Sequence, residues 1–93
     1  MLYLLFYTYG ENMLERRAPH RAAHLEFAAE QHGEGALIMA GAYTDPLDGA
    51  VLVFRSKAAA EAFPAGDPYV SHGLVTNWWV REWNVVVGGE QAG

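Results

Sequence analysis

The chain has 93 residues, of which 52% are hydrophobic and 18% charged, a composition that excludes a disordered chain and leaves room for one hydrophobic core rather than two domains. A formal net charge of −5, from 11 acidic and 6 basic side chains, repels phosphate backbones and anionic lipid surfaces, so neither a nucleic-acid nor a membrane partner is expected. Cysteine is absent, which excludes disulfides, thiolate nucleophiles and thiolate metal sites and suits a reducing, cytoplasmic setting.

Residues 2–9 alternate aromatic and aliphatic side chains up to Gly10 and read as a strand buried on both faces. With no basic start and no small-residue cleavage site, this segment does not read as a signal peptide, and no run reaches the roughly 20 apolar residues of a membrane helix. Glu11 to Arg17 allows a helical turn or two. Pro19 lacks an N–H and disfavours helical geometry at Ala18, so the main helix is expected to begin at Pro19 and run to about His32. Ala22, Leu25 and Ala29, with Phe27 and Ala28 beside them, form its apolar stripe, and Gly33 and Gly35 supply the stop.

Residues 36–43 and 50–55 read as two further strands, joined into a hairpin by the turn formers Thr44-Asp45-Pro46-Leu47-Asp48-Gly49. Ser56 caps a short helix over residues 57–63 that is expected to stop before Pro64. Asp67-Pro68 places an N-cap before a proline at the first helical position and opens one more turn through His72. Leu74 to Val87 is the last and longest strand, and residues 88–93 are expected to fray.

The order is β-α-β-β-α-β: an α+β, ferredoxin-like domain over residues 1–93, with a four-stranded antiparallel sheet and its helices on one face. The first and last strands are apolar on both faces, so the uncovered side needs a cover. A homodimer with the open sheet faces together is expected. The alternative is a monomer whose last strand and tail fold over that face.

Chemistry-bearing residues gather in few places. Of the six basic residues, Arg16, Arg17 and Arg21 crowd one segment, with Arg55 further along, and leave a local anion site open. His20 and His24 lie one turn apart, a spacing that metal sites use. A third ligand would have to come from Asp67, His72 or Asp45, and the HExxH motif is absent, so no metal is expected. His24, beside Leu25, reads either as a half-buried histidine bonded to a carbonyl or as a base in a pocket. Asp67 needs no role beyond its cap, yet its second oxygen could hold an imidazole N–H and leave the other ring nitrogen as a base. Tyr69 and Tyr43 could donate phenolic hydroxyls at a pocket rim, although packing alone explains either. His32 suits a helix C-terminus. Asp45 and Asp48 are turn residues, and Trp78 and Trp79 point to opposite faces of the last strand. No glycine-rich phosphate loop, serine elbow or dinucleotide fingerprint is present.

Glu15-Arg16-Arg17-Ala18-Pro19-His20-Arg21-Ala22-Ala23-His24-Leu25, Ala40-Gly41-Ala42, Asp45-Pro46-Leu47-Asp48-Gly49-Ala50, Ala62-Phe63 and Asp67-Pro68-Tyr69-Val70 together resemble the YCII-related (YciI-like) proteins, over nearly the whole chain to Val87. The resemblance implies a ferredoxin-like subunit of a dimeric α/β barrel whose active site uses a His-Asp pair, falling here on His24 and Asp67. It also implies acid/base elimination or isomerisation of small, often aromatic-derived molecules with no bound cofactor. Ala42 departs from the pattern, which frequently has proline after the glycine. The expectation is a small lyase or isomerase in which His24 moves a proton, Asp67 orients it, Arg21 or Tyr69 holds an anionic or phenolic substrate, and His20 and Tyr43 border the site. Two alternatives remain: a non-catalytic dimeric domain that binds a small molecule or a protein, and a polar pair that only stabilises the fold.

Overall fold

The structure is a computed structural model and describes residues 1–89. Strand β1 (Leu2–Tyr9) is followed by the single turn α1 (Met13–Arg16), helix α2 (Arg21–Gly33), the hairpin β2 (Leu37–Ala42) and β3 (Gly49–Phe54), helix α3 (Lys57–Gly66), the turn α4 (Pro68–Ser71) and strand β4 (Val75–Trp83). The sheet order is β2-β3-β1-β4, with every neighbouring pair antiparallel. This is the ferredoxin-like arrangement, with β1 and β3 at the centre.

Side-chain alternation sorts the sheet into two faces. Leu5, Tyr7 and Tyr9 of β1, Ala50, Leu52 and Phe54 of β3 and Leu37 of β2 join Ala60, Phe63, Tyr69 and Leu74 in one buried core beneath the helices. On the other face, the register aligns Met39 with Val53, Phe6 with Val51 and Trp79, and Leu2 with Trp83. Phe6 and Trp79 stack there with ring centres 5.3 Å apart. Met39, Trp79 and Trp83 are 64%, 42% and 45% exposed, so a continuous apolar surface lies open on the side without helices.

Four boundaries or faces differ from the sequence reading. Helix α2 begins at Arg21 because Pro19 belongs to a turn in which the His20 N–H donates to the Arg17 carbonyl. Helix α3 does not stop before Pro64 but continues to Gly66. Proline there removes only its own N–H, and burial of Phe63 and Pro64 against the core offsets that loss. Strand β4 ends at Trp83, not Val87, because Trp83 pairs with Leu2, the first residue of β1, and no partner remains beyond it.

The fourth difference concerns the inward face of α2. Leu25 is 47% exposed, Ala22 and Ala29 are exposed, and the face turned inward is His24, Phe27, Ala28 and Gln31. Phe27 and Ala28 are the members of the expected stripe that pack on the core, joined by His24 and Gln31 at helical spacing, whereas Ala22, Leu25 and Ala29 lie to one side of that face. Of the segment expected to fray, residues 90–93 lie outside the described residues.

Candidate active site

Asp67 sits where α3 ends and α4 begins, and its Oδ1 accepts the backbone N–H of Tyr69 at 3.0 Å, the N-cap bond that Asp-Pro encodes locally. The same carboxylate has two further partners. His24 Nδ1 lies 2.7 Å from Oδ1, and the Tyr7 hydroxyl donates to Oδ2 at 2.7 Å. Asp67 is fully buried. Three donors from three elements make that burial tolerable, since a desolvated carboxylate without partners would not persist.

A carboxylate only accepts, so Nδ1 of His24 carries the proton in this pair and Nε2 is the ring nitrogen with a free lone pair. The imidazole also lies flat on the Tyr69 ring, with centroids 3.7 Å apart and planes 3° from parallel. Asp67 therefore fixes one edge of the ring and Tyr69 one face. The His24 side chain keeps 14% exposure, and it opens onto a cleft of about 510 Å³ between α2 and the β2 edge of the sheet. Arg17, Arg21, His24 and His32 form one wall, Tyr7, Tyr9 and Tyr69 the inner end, and residues 37–42 the far side.

Burial raises all three phenols at the inner end. The Tyr7 hydroxyl is held protonated first by burial and then by the adjacent Asp67 charge and its hydrogen bond. Tyr9 is pushed up to about 12, chiefly by burial, with Arg17 and Arg21 opposing the rise. Burial raises Tyr69 as well, again against the nearby Arg21 and Arg17. All three side chains stay neutral hydrogen-bond donors at any physiological pH.

The structure brings His24, Asp67, Arg21 and Tyr69 together. His20 stacks on His72 at 3.9 Å, and Tyr43 lies over Gly49, 45% exposed; neither lines the cleft. Among the described residues no group of three or more His, Cys, Asp or Glu side chains could hold a metal. Tyr7 and Tyr9 escaped the sequence reading, although they repeat at strand spacing on a buried face, where a phenol needs a partner, and of the basic segment that left an anion site open, Arg17 and Arg21 reach the cleft. His32 was assigned only to the helix end, yet its Nδ1 donates to the Leu37 carbonyl at 2.8 Å and its ring reaches the cleft.

The model of the YCII-related domain matches residues 1–84. The chain belongs to the YCII-related family. No curated protein matches it in sequence. Among solved structures, this YCII-related chain is similar to the 5-chloro-2-hydroxyhydroquinone dehydrochlorinase of Burkholderia phenoliruptrix in complex with 2,5-dihydroxybenzoquinone, with a TM-score of 0.75, 20% identity and full coverage of both chains. At that identity the likeness establishes the shared ferredoxin-like fold. No helix among the described residues is long and apolar enough to cross a membrane.

Proposed function

We propose that the protein is a small acid/base enzyme, a lyase or isomerase acting on a single-ring, hydroxylated aromatic-derived substrate, with His24 as the proton-transfer group and Asp67 as its orienting partner. The observation that carries this reading is the buried Asp67 carboxylate, which joins the imidazole, the Tyr7 hydroxyl and the Tyr69 backbone at the inner end of a cleft of about 510 Å³. A histidine that only stabilised the fold would not need an open cavity beside its free nitrogen. The similar dehydrochlorinase, named for a chlorinated hydroxyhydroquinone, supports the substrate class.

In an elimination, Nε2 of His24 takes a proton from the substrate, and the electron pair left behind expels an anionic leaving group such as halide from the neighbouring position. In an isomerisation, the imidazolium returns that proton at another atom of the conjugated system. In either case the positive charge formed on the ring is stabilised by Asp67 along its edge and by the Tyr69 ring against its face. The open sheet face, with Phe6, Trp79 and Met39, is the surface on which we place a homodimer contact, which would complete an α/β barrel.

The test is halide release from chlorinated hydroquinones and hydroxyhydroquinones, followed with an ion-selective electrode. A positioned histidine contributes about 10²–10⁴-fold in rate, and His24→Asn should lose that factor. Binding of these compounds without turnover by the wild type would instead support the non-catalytic reading.

A further inference from the structure

The sign of charge in the cleft opposes that of the chain. The protein carries a formal charge of −5, yet among the described residues no aspartate or glutamate lines the cleft, whose charged lining groups are Arg17 and Arg21. Asp67 lies behind this surface, already engaged with His24 and Tyr7. Among the described residues the only ion pair is His24 with Asp67, so neither guanidinium has a carboxylate partner there. Cations gathered at the mouth of a concave, partly apolar site concentrate anions locally even when the distant field does not.

A second observation points the same way. The Tyr69 hydroxyl is buried on a residue only 2% exposed and makes no well-formed hydrogen bond; the one group near enough to bond it is the Arg21 guanidinium, itself a donor, so its O–H has no acceptor. A buried hydroxyl left unpaired is costly, and its persistence at a ligand cavity marks a place where a ligand atom belongs. Tyr69 lines the same cleft as the two arginines, and their charges act on its phenol. The site thus holds a neutral O–H donor and two forked cations without an acceptor of its own, the complement of an ionised oxygen.

We propose that the cleft binds its substrate as an anion, with a phenolate, hydroxyquinone or carboxylate oxygen held by Arg17, Arg21 and the Tyr69 hydroxyl, and the reacting position beside Nε2 of His24. This deepens the acid/base reading and rests on the same cleft. Arg21 and His24 are three residues apart on α2 and so share a face, with Cβ atoms roughly 5–6 Å apart; one six-membered ring spans such a gap. Negative charge that develops on the ring when His24 takes its proton flows toward the oxygen held by the guanidiniums. Arg17 is placed here as a binding residue alongside Arg21.

The experiment is calorimetric titration of the full chain at neutral pH with 2,5-dihydroxybenzoquinone, which is ionised there, with 2,5-dihydroxybenzoate, and with uncharged hydroquinone. The two anions should bind at least about tenfold more tightly than hydroquinone and weaken as salt rises from about 20 to about 200 mM. Arg17→Met and Arg21→Met, checked for folding by circular dichroism, should each cost the anions about 10- to 100-fold and cost hydroquinone several-fold less than that. Tighter binding of the quinone assigns the oxygen to a phenolic source, and tighter binding of the benzoate assigns it to a carboxylate. Equal affinity for hydroquinone and the anions, or anion binding indifferent to salt and to both arginines, would overturn the proposal; the charge and salt comparisons need no variant. Arginine-dependent anion binding without turnover removes the enzymatic reading and keeps this one. Turnover that depends on His24 but not on the arginines does the reverse.

Discussion

The imidazole of His24 rests on the ring of Tyr69, 3.7 Å between centroids and 3° from parallel, while the backbone N–H of Tyr69 donates to the carboxylate that holds His24 by its edge. One residue thus supports the imidazole from below and is itself tied to the imidazole's partner. Tyr69→Phe keeps the stack and removes the unpaired hydroxyl, so stability should hold or rise by about 1 kcal/mol. Tyr69→Leu should lose about 1–3 kcal/mol along with the ring's fixed orientation. Urea unfolding of the two variants separates these outcomes; equal losses would refute a supporting role for the stack.

Asp67 combines a helix cap with the proposed orienting of His24, and two substitutions divide them. Asp67→Ala removes the cap, worth about 1 kcal/mol, and orphans the Tyr7 hydroxyl, worth about 1–3 kcal/mol, so a combined loss of about 2–4 kcal/mol is expected in urea titration. Asp67→Asn can keep the cap and the His24 bond, which share Oδ1, but turns an amide NH2 toward the Tyr7 hydroxyl and removes the negative charge beside the imidazole. Turnover should then fall far more than stability, and full activity in the Asp67→Asn variant would rule out a role for that charge in stabilising the imidazolium.

Gly66 is set against Phe27, and a Cβ at that position would lie 2.5 Å from Phe27 Cζ. The glycine lets the inward face of α2 close on the end of α3, one residue before Asp67. Gly66→Ala should therefore destabilise the protein by about 1–3 kcal/mol through overpacking. Adding Phe27→Leu should restore part of that loss. A double-mutant cycle showing no coupling between the two positions would contradict this account.

The raised phenols set an alkaline limit on stability. Tyr9 moves from 10.0 to about 12 on folding, so the folded state keeps a proton that the unfolded chain releases. Its contribution is complete below pH 10 and is lost as the pH climbs toward 12. Tyr7 and Tyr69 act in the same direction. Stability measured by urea titration should decline with pH above about 10, and Tyr9→Phe should reduce that slope by about one proton. An unchanged slope in the variant would show that Tyr9 does not titrate as its burial requires.

The proposed dimerisation through the open sheet face can be tested in solution. Trp79 is 42% exposed and stacked on Phe6, so Trp79→Glu would place a charge in the middle of the proposed contact. Sedimentation should show the wild type near twice its 10.2 kDa chain mass and the variant near that mass. A monomeric wild type would leave the open face to another cover.

What the amino-acid order determined by itself is what neighbours along the chain decide. Alternation marked the strands, Ser56 and Asp67 capped helices through bonds to residues three and two positions on, and the turn formers at 44–49 closed the hairpin. The homology carried by short motifs singled out His24 and Asp67 as a pair. Tertiary structure decided the rest. The partners of Asp67 come from 43 and 60 residues away, a distance over which no local signal chooses Tyr7 from among the aromatic residues of β1. On α2 the sequence placed Phe27 and Ala28 in the apolar stripe that packs on the core, but only the tertiary structure decided that Leu25 and Ala29 of the same stripe line an open cleft and stay exposed, because what stands opposite them is a cavity and not a packed neighbour.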